Sequence, residues 1–289
     1  MNENATRNFS EQRLSAFYLP IFLLVSVIAF LYAQNALNIK AYTQIQKDFF
    51  LFLNSKLSQF PSAQNNLTQL GNALIFSSFL GVFILYAPKI WENLISASLV
   101  SCLLCSVLKK IFAIPRPAAT FDNDSFVIIG QTLSGRSSLP SGHAITVFTT
   151  LTILLIAFMP KRLKYKALWC VAIVVLGVIL GSTRVGVGAH YPLDVVVGSI
   201  IGYISGLIGI FINQKYNIWA WVSDKKYLPI FIVLLLVCCF FLVDKIIKDN
   251  LTIYYLSLAS LLTSLYTITN VHFKEKLKFK LLRINNKLS

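Results

Sequence analysis

The sequence predicts an all-α protein, a multi-pass transmembrane helical bundle, and three observations carry that prediction. Of its 289 residues, 56% are hydrophobic and only 13% charged, where a soluble domain carries about a quarter charged residues. The mean hydropathy is +0.69, more apolar surface than a water-facing fold of this length can hide. Third, stretches nearly free of charge recur at the roughly 20 residues that a helix needs to cross a hydrocarbon core about 30 Å thick. Eight such stretches have their cores near residues 17–33, 70–87, 93–112, 143–159, 167–183, 193–212, 228–243 and 251–269.

Taken in order, the first stretch follows Arg7 and Arg13 and lacks a small-x-small cleavage site, so it reads as an uncleaved helix and not a signal peptide. Residues 43–60 place Ile45, Phe49, Phe52, Leu53, Leu57 and Phe60 at helical spacing, while Lys47, Asp48 and Lys56 make a crossing costly. This segment is either a helix lying in the outer interface or one packed within a surface loop. The crossings from 70 to 212 follow without a repeat or low-complexity linker. Those near 228–243 and 251–269 lead into a basic amphipathic tail that starts at His272.

The charge distribution sets the orientation. Lysine and arginine outnumber the acids 26 to 11, for a formal net charge of +15. With a cytoplasmic N-terminus and strict alternation, 16 of the 26 fall on the cytoplasmic side, namely Arg7, Arg13, Lys89, Lys161, Arg162, Lys164, Lys166, Lys215, Lys225, Lys226 and six between Lys274 and Lys287. That asymmetry is the positive-inside pattern, so the basic excess reports membrane orientation and nucleic-acid binding is set aside. The five cysteines lie inside apolar runs and read as small buried hydrophobes. The CxxC spacing of Cys102 and Cys105 has no second pair or nearby histidine to complete a metal site.

Three polar clusters stand out at the ends of crossings. In the first, Lys109 and Arg116 are seven residues apart, almost one face of a helix, with Pro115 and Pro117 stiffening the exit. Two cations on a rigid elbow suit a phosphate, and two boundary anchors would look the same. The second is Leu139-Pro140-Ser141-Gly142-His143. Ser141 is a good N-cap, Gly142 lets an anion approach the backbone, and the helix start that follows is an anion site. The third runs from Gly181-Ser182-Thr183-Arg184 to His190 and Asp194. On a helix His190 and Asp194 meet as i and i+4, and a carboxylate on one imidazole nitrogen leaves the other free to attack. Asp194 is the only acidic residue within about a turn of the interior of any predicted crossing, a placement that points to function. Alternation brings all three clusters to the outer face.

These strings resemble the type 2 phosphatidic acid phosphatase (PAP2) superfamily, whose signature is K-x6-RP, then PSGH, then SR-x5-H-x3-D. Here they read Lys109 to Arg116-Pro117, Pro140 to His143, and Arg184 to His190 to Asp194, in the family's order. One position departs: Thr183 precedes Arg184, with Ser182 one further back. The resemblance implies a six-helix PAP2 core and an enzyme, a membrane lipid phosphatase. It divides the chain into residues 1–69 (first crossing and interfacial segment), 70–212 (catalytic core) and 213–289 (two additional crossings and a basic cytoplasmic tail).

The resemblance also implies a mechanism. His190 would attack phosphorus and form a phosphohistidine, oriented by Asp194, and His143 would protonate the leaving oxygen and then activate water. Lys109, Arg116, Ser141, Gly142 and Arg184 would bind the phosphoryl oxygens. No metal or other cofactor is implied, and the sequence gathers no carboxylate cluster to hold one. In the segment over the site, Arg136 is either a contact to a second phosphate or headgroup or a solvated loop residue. The expected partner is a phosphorylated membrane lipid: undecaprenyl diphosphate, phosphatidylglycerol phosphate, phosphatidic acid or a lipid A phosphate. The expected location is a bacterial cytoplasmic membrane with the site facing the periplasm, and the composition leaves oligomeric state open. A lipid phosphotransferase using the same histidine and a non-catalytic transporter or scaffold are the alternatives. Vanadate haloperoxidases share the anion site but are typically soluble.

Overall fold

A computed structural model describes residues 1–288, with side chains as far as Leu277. Among the described residues there are thirteen α-helices and no strand. They are α1 Asn2–Ser10, α2 Tyr18–Ala33, α3 Ile39–Ile45, α4 Lys47–Leu57, α5 Pro61–Thr68, α6 Ala73–Ser78, α7 Phe83–Tyr86, α8 Pro88–Phe112, α9 Gly142–Ala157, α10 Leu163–Gly186, α11 Pro192–Tyr216, α12 Leu228–Asp249 and α13 Thr252–Leu288. Proline in the first turn opens α8, α11 and α12, where its missing N–H has no intrahelical partner to lose. Left-handed residues Ala113, Asn217 and Asn250 close the same three helices.

Five helical segments are long and apolar enough to cross a membrane: Leu14–Ala33, Pro88–Ala119, Leu163–Gly186, Pro192–Tyr216 and Lys225–Asp249. The predicted crossing over 143–159 is the shorter apolar helix α9. That over 251–269 lies in α13, where Thr252, Ser257, Ser260, Thr263, Ser264 and Thr267 dilute the apolar run. The predicted crossing over 70–87 is not one helix but α6 and α7 separated by turns at 79–82. Two carbonyls near the break are taken by side chains: Trp91 Nε1 donates to Leu80 O at 2.8 Å and Ser260 Oγ to Ser78 O at 3.0 Å. The broken segment is buried in protein, Ile75 and Ile84 packing in one apolar cluster with Leu228, Leu235, Leu242, Tyr254 and Leu261 of the α12–α13 pair. The tail's side chains beyond Leu277, where most of its predicted basic face falls, lie outside the described residues.

A second cluster centres on α8, α9 and α11 with Leu94, Ala97, Val147, Leu151, Leu207 and Ile210. Glycines let α11 lie directly on α9. A Cβ on Gly198 would stand 2.7 Å from Ser141 O, and one on Gly206 2.7 Å from Thr152. Small residues at such spacing allow close helix contact where lipid supplies no hydrophobic drive. α1 closes the end remote from the polar clusters, with Asn8 Nδ2 donating to Ala157 O and Met159 O at 3.1 Å each. Nearby, Glu92 is fully buried and ion-paired to Lys89 at 2.6 Å. Asp194 is therefore not the only acid buried on an apolar helix. Glu92 was missed because α8 starts a turn earlier than hydropathy places it, at Pro88.

The interfacial stretch is also two helices, α3 and α4, and its apolar stripe divides. Ile45, Leu53 and Leu57 pack onto a third cluster, whereas Phe49, Phe52 and Phe60 are exposed. The residue fully buried here is Phe50, ringed by Phe121, Phe126 and Tyr191.

Candidate active site

The site forms where α8 and α10 end and α9 and α11 begin, so each polar cluster reaches it from a helix terminus. Lys109 lies in the last turn of α8, partly buried, while Lys110 beside it is exposed. Its Nζ is 3.5 Å from where a Cβ on Gly142 would stand. Arg116 arrives by a different route from the helical face expected of it. α8 stops at Phe112, Ala113 takes φ 45°, and the chain turns before Arg116 N donates to Gly135 O at 2.9 Å. Pro115 and Pro117 prevent the helix from continuing. Arg116 is buried, and its Nη1 donates to Ala189 O at 3.3 Å.

Ser141 is the N-cap of α9, accepting from Ala144 N at 3.5 Å, and its own N–H donates to Asp194 O at 3.0 Å. The preceding Leu139–Pro140 peptide is cis. Gly142 and His143 form the first turn. His143 lies against Gly71, where a Cβ would come within 2.5 Å of its ring, so only glycine fits. Arg184 is buried in the last turn of α10. Its Nη1 donates to Thr68 Oγ1 at 2.6 Å, while its buried Nε has no hydrogen-bond partner. Thr183, the departure from the signature, turns its hydroxyl back to Leu180 O at 2.6 Å.

His190 is not on a helix with Asp194. Pro192 opens α11, and the residue before a proline avoids the helical region, which leaves His190 and Tyr191 in the preceding turn. The pair still meets, because Asp194 folds back over the helix start: its Oδ2 accepts Tyr191 N–H at 3.0 Å and lies 3.4 Å from His190 Nδ1. Gly188 makes the turn possible with φ 75°, and a Cβ there would come 2.8 Å from Val127 O. His190 N and Ala189 N both donate to Arg184 O, tying the turn to α10.

Four further residues complete the site without any signal in the motifs. Ser138 Oγ donates to Asp194 Oδ2 at 2.5 Å and lies 3.5 Å from His190 Nδ1. Tyr42 OH donates to Asp194 Oδ1 at 2.8 Å, and Thr68 holds Arg184. Asn54 Nδ2 donates to Val127 O, Val185 O and Gly186 O, and its Oδ1 accepts Val127 N–H, joining the overlying loop to the end of α10. Arg136 in that loop is exposed, in keeping with a solvated residue.

The electrostatics follow from burial. His190 is 1% exposed. Burial, then the positive charges of Arg184, Arg116 and Lys109, hold its imidazole well below the ordinary value, so the ring is neutral. With Nδ1 facing Asp194, Nε2 carries the free lone pair when the proton is on Nδ1. The same three cations act on His143. Burial and the Asp194 charge raise the Tyr42 hydroxyl well above its ordinary value, so it stays protonated and donates its hydrogen bond to Asp194. Three cations therefore surround one carboxylate and two imidazoles. Buried positive charge in excess of its counter-charge is costly, and an anion with several acceptor oxygens offsets it.

Comparison with known proteins places this site in context. The model of the PAP2 superfamily matches residues 90–219, which hold every motif residue. The chain is 34% identical over 154 residues to a lipid A 1-phosphatase of Rhizobium etli, covering 50% of this chain and 62% of that protein. It is 28% identical over 150 residues to an undecaprenyl-diphosphatase of Sulfolobus acidocaldarius (48% and 68%). It is also 24% identical over 198 residues to the bacitracin transport permease protein BcrC of Bacillus licheniformis (64% and 92%).

Proposed function

Because residues 90–219 belong to the PAP2 superfamily, we propose that this multi-pass membrane protein is a phosphoric-ester hydrolase that cleaves a phosphate monoester or pyrophosphate on a lipid through a phosphohistidine. The observation that carries the reading is Arg184 Nε, a buried donor without a partner, beside Arg116, Lys109 and a neutral His190. A phosphoryl group supplies the acceptor and the negative charge.

In the proposed reaction the Nε2 lone pair of His190 forms a bond to phosphorus as the bond from phosphorus to the leaving oxygen breaks. His143, able to hold a proton once the phosphoryl charge offsets the cations around it, gives that oxygen the proton. Asp194 stabilises the positive charge that develops on His190. His143 then takes a proton from water, the water oxygen attacks phosphorus, the P–N bond breaks and phosphate leaves. Lys109, Arg116 and Arg184, with Ser141 Oγ and the Gly142 N–H at the α9 terminus, offset charge on the equatorial oxygens.

The relatives' names point to a lipid diphosphate or lipid A phosphate, with phosphatidylglycerol phosphate and phosphatidic acid as further candidates. The contacts of α1 with Ala157, Met159 and Lys89 put Arg7, Lys89 and Lys161 at the end remote from the site. That supports a periplasmic site in a bacterial cytoplasmic membrane.

The test is phosphate release from the four lipids in detergent with EDTA present, alongside His190→Ala. Release that survives EDTA and is lost in the variant supports the reading, and full activity in the variant overturns it. A phospholipid product on adding an acceptor lipid would identify a phosphotransferase. The relative named for bacitracin transport makes a non-catalytic transporter the second reading, favoured if transport persists in His190→Ala.

A further inference from the structure

Resting on that reading of the site, we infer that Tyr42 is a positioning residue that holds the Asp194 carboxylate against His190, although it lies outside the stretch that carries the family signature. Asp194 is fully buried and its two oxygens are used unequally. Oδ2 faces Ser138 Oγ at 2.5 Å, Tyr191 N at 3.0 Å and His190 Nδ1 at 3.4 Å. Oδ1 is held by Tyr42 OH at 2.8 Å. A carboxylate turns easily about its last torsion, so donors on both oxygens are needed to fix its plane. The contact with His190 is long, and a small rotation decides whether it tightens or is lost.

Tyr42 is itself fixed from two directions. Its ring is 3% exposed and stands edge-on to Tyr191, with centroids 6.5 Å apart at 89°. Its carbonyl accepts from Gln46 Nε2 at 2.9 Å, and Gln46 Oε1 accepts Leu193 N–H at 2.8 Å. The α3–α4 junction therefore grips the first turn of α11 through its backbone and Asp194 through its side chain. That arrangement delivers a hydroxyl to Oδ1; if Tyr42 were only a packing residue, its ring would suffice.

The two roles separate in Tyr42→Phe, which keeps the ring and removes the donor. A hydrogen bond to a charged group is worth enough that its loss costs roughly tenfold or more in rate. The ionised carboxylate also loses support, so the acidic limb of the pH–rate profile moves to higher pH. The other charged and titratable groups acting on this carboxylate are His190 in the turn before α11, Lys109 on α8, Arg116 beyond its end, and Tyr191, and Ser138 Oγ still donates to Oδ2; all stay in place.

The experiment measures kcat, KM and the pH profile of phosphate release for wild type, Tyr42→Phe and His190→Ala, using the four lipids named above in detergent. Expected are a kcat about tenfold lower or more, a KM within about twofold, and an acidic limb shifted upward. The limb's position does not depend on how much of a preparation is folded, so poor yield does not obscure it. Wild-type kcat and an unmoved limb in Tyr42→Phe, with His190→Ala inactive, would overturn the role of Tyr42 alone. Activity in His190→Ala would instead remove the reading on which it rests.

Discussion

Replacing Gly198 by alanine tests whether the approach of α9 to α11 sets the distance between the two halves of the site. His143 sits at the start of α9, and the His190–Asp194 turn at the start of α11. Between them a Cβ on Gly198 would meet Ser141 O at 2.7 Å, Ala144 Cβ at 3.1 Å and Ser141 N at 3.3 Å. Ordinary contact begins at 3.4 Å, so going from 2.7 to 3.4 Å requires about 0.7 Å of added separation. Nothing flexible can yield, because the obstructing atoms are backbone or the rigid Cβ of Ala144, and Ser141 N is bound to Asp194 O at 3.0 Å. A misplacement of about 1 Å at a reacting centre costs about a hundredfold, so a loss of roughly 10- to 100-fold in kcat is expected. Overpacking adds about 1–3 kcal/mol of destabilisation. Gly206→Ala is the control: its Cβ would meet Thr152 at 2.7 Å in the same helix pair, eight residues and about 12 Å farther along. Phosphate release and thermal unfolding in detergent are the readouts. Equal loss of kcat in both variants, or full kcat in Gly198→Ala, would refute the argument.

Two other predictions address the charges. Arg184→Lys replaces a fork that already gives Nη1 to Thr68 and holds Nε free with a single ammonium. Loss of one oriented donor costs roughly 10²–10³ in kcat/KM, and inhibition by inorganic phosphate or vanadate should weaken in parallel; wild-type kcat/KM would count against Arg184 as a ligand. The second concerns pH. His190 is held below its ordinary value in the fold, whereas the unfolded chain takes up its proton near pH 6.5. The unfolded state then binds the extra proton, so this contribution to stability is complete above about pH 6.5 and is lost as pH falls, by at most about 1.4 kcal/mol per unit. Denaturation of wild type and His190→Gln between pH 7.5 and 5 should show the shallower slope in the variant, and equal slopes would refute it.

The polar motifs were legible because ionisable residues stand out in an apolar sequence, and a fixed spacing survives whatever backbone carries it. A helical spacing groups Lys109 with Arg116, whereas the chain between them leaves the helix through a left-handed turn at Ala113. The same holds for His190 and Asp194, which meet through a side chain folded over a helix start. Helix breaks were less legible. Hydropathy over 70–87 averages across the turns at 79–82, beside which Leu80 O and Ser78 O accept from Trp91 and from Ser260, the latter far away in sequence. Tyr42, Asn54 and Thr68 carried no signal, since an ordinary polar residue on a short helix becomes part of a site only through contacts of long sequence separation.

The interrupted segment over 70–87 depends on two helices that follow it far along the chain. Free backbone groups have no partner in hydrocarbon, so turns at 79–82 are tolerable only beneath a cover, and here α12 and α13 provide it. Removing the final two helices would strip the break of Ser260 and of the apolar faces of α12 and α13 together. The order of synthesis adds a constraint, because the interrupted segment leaves the ribosome well before its cover exists. Until then the backbone of its turns must find water, an insertion partner, or α8.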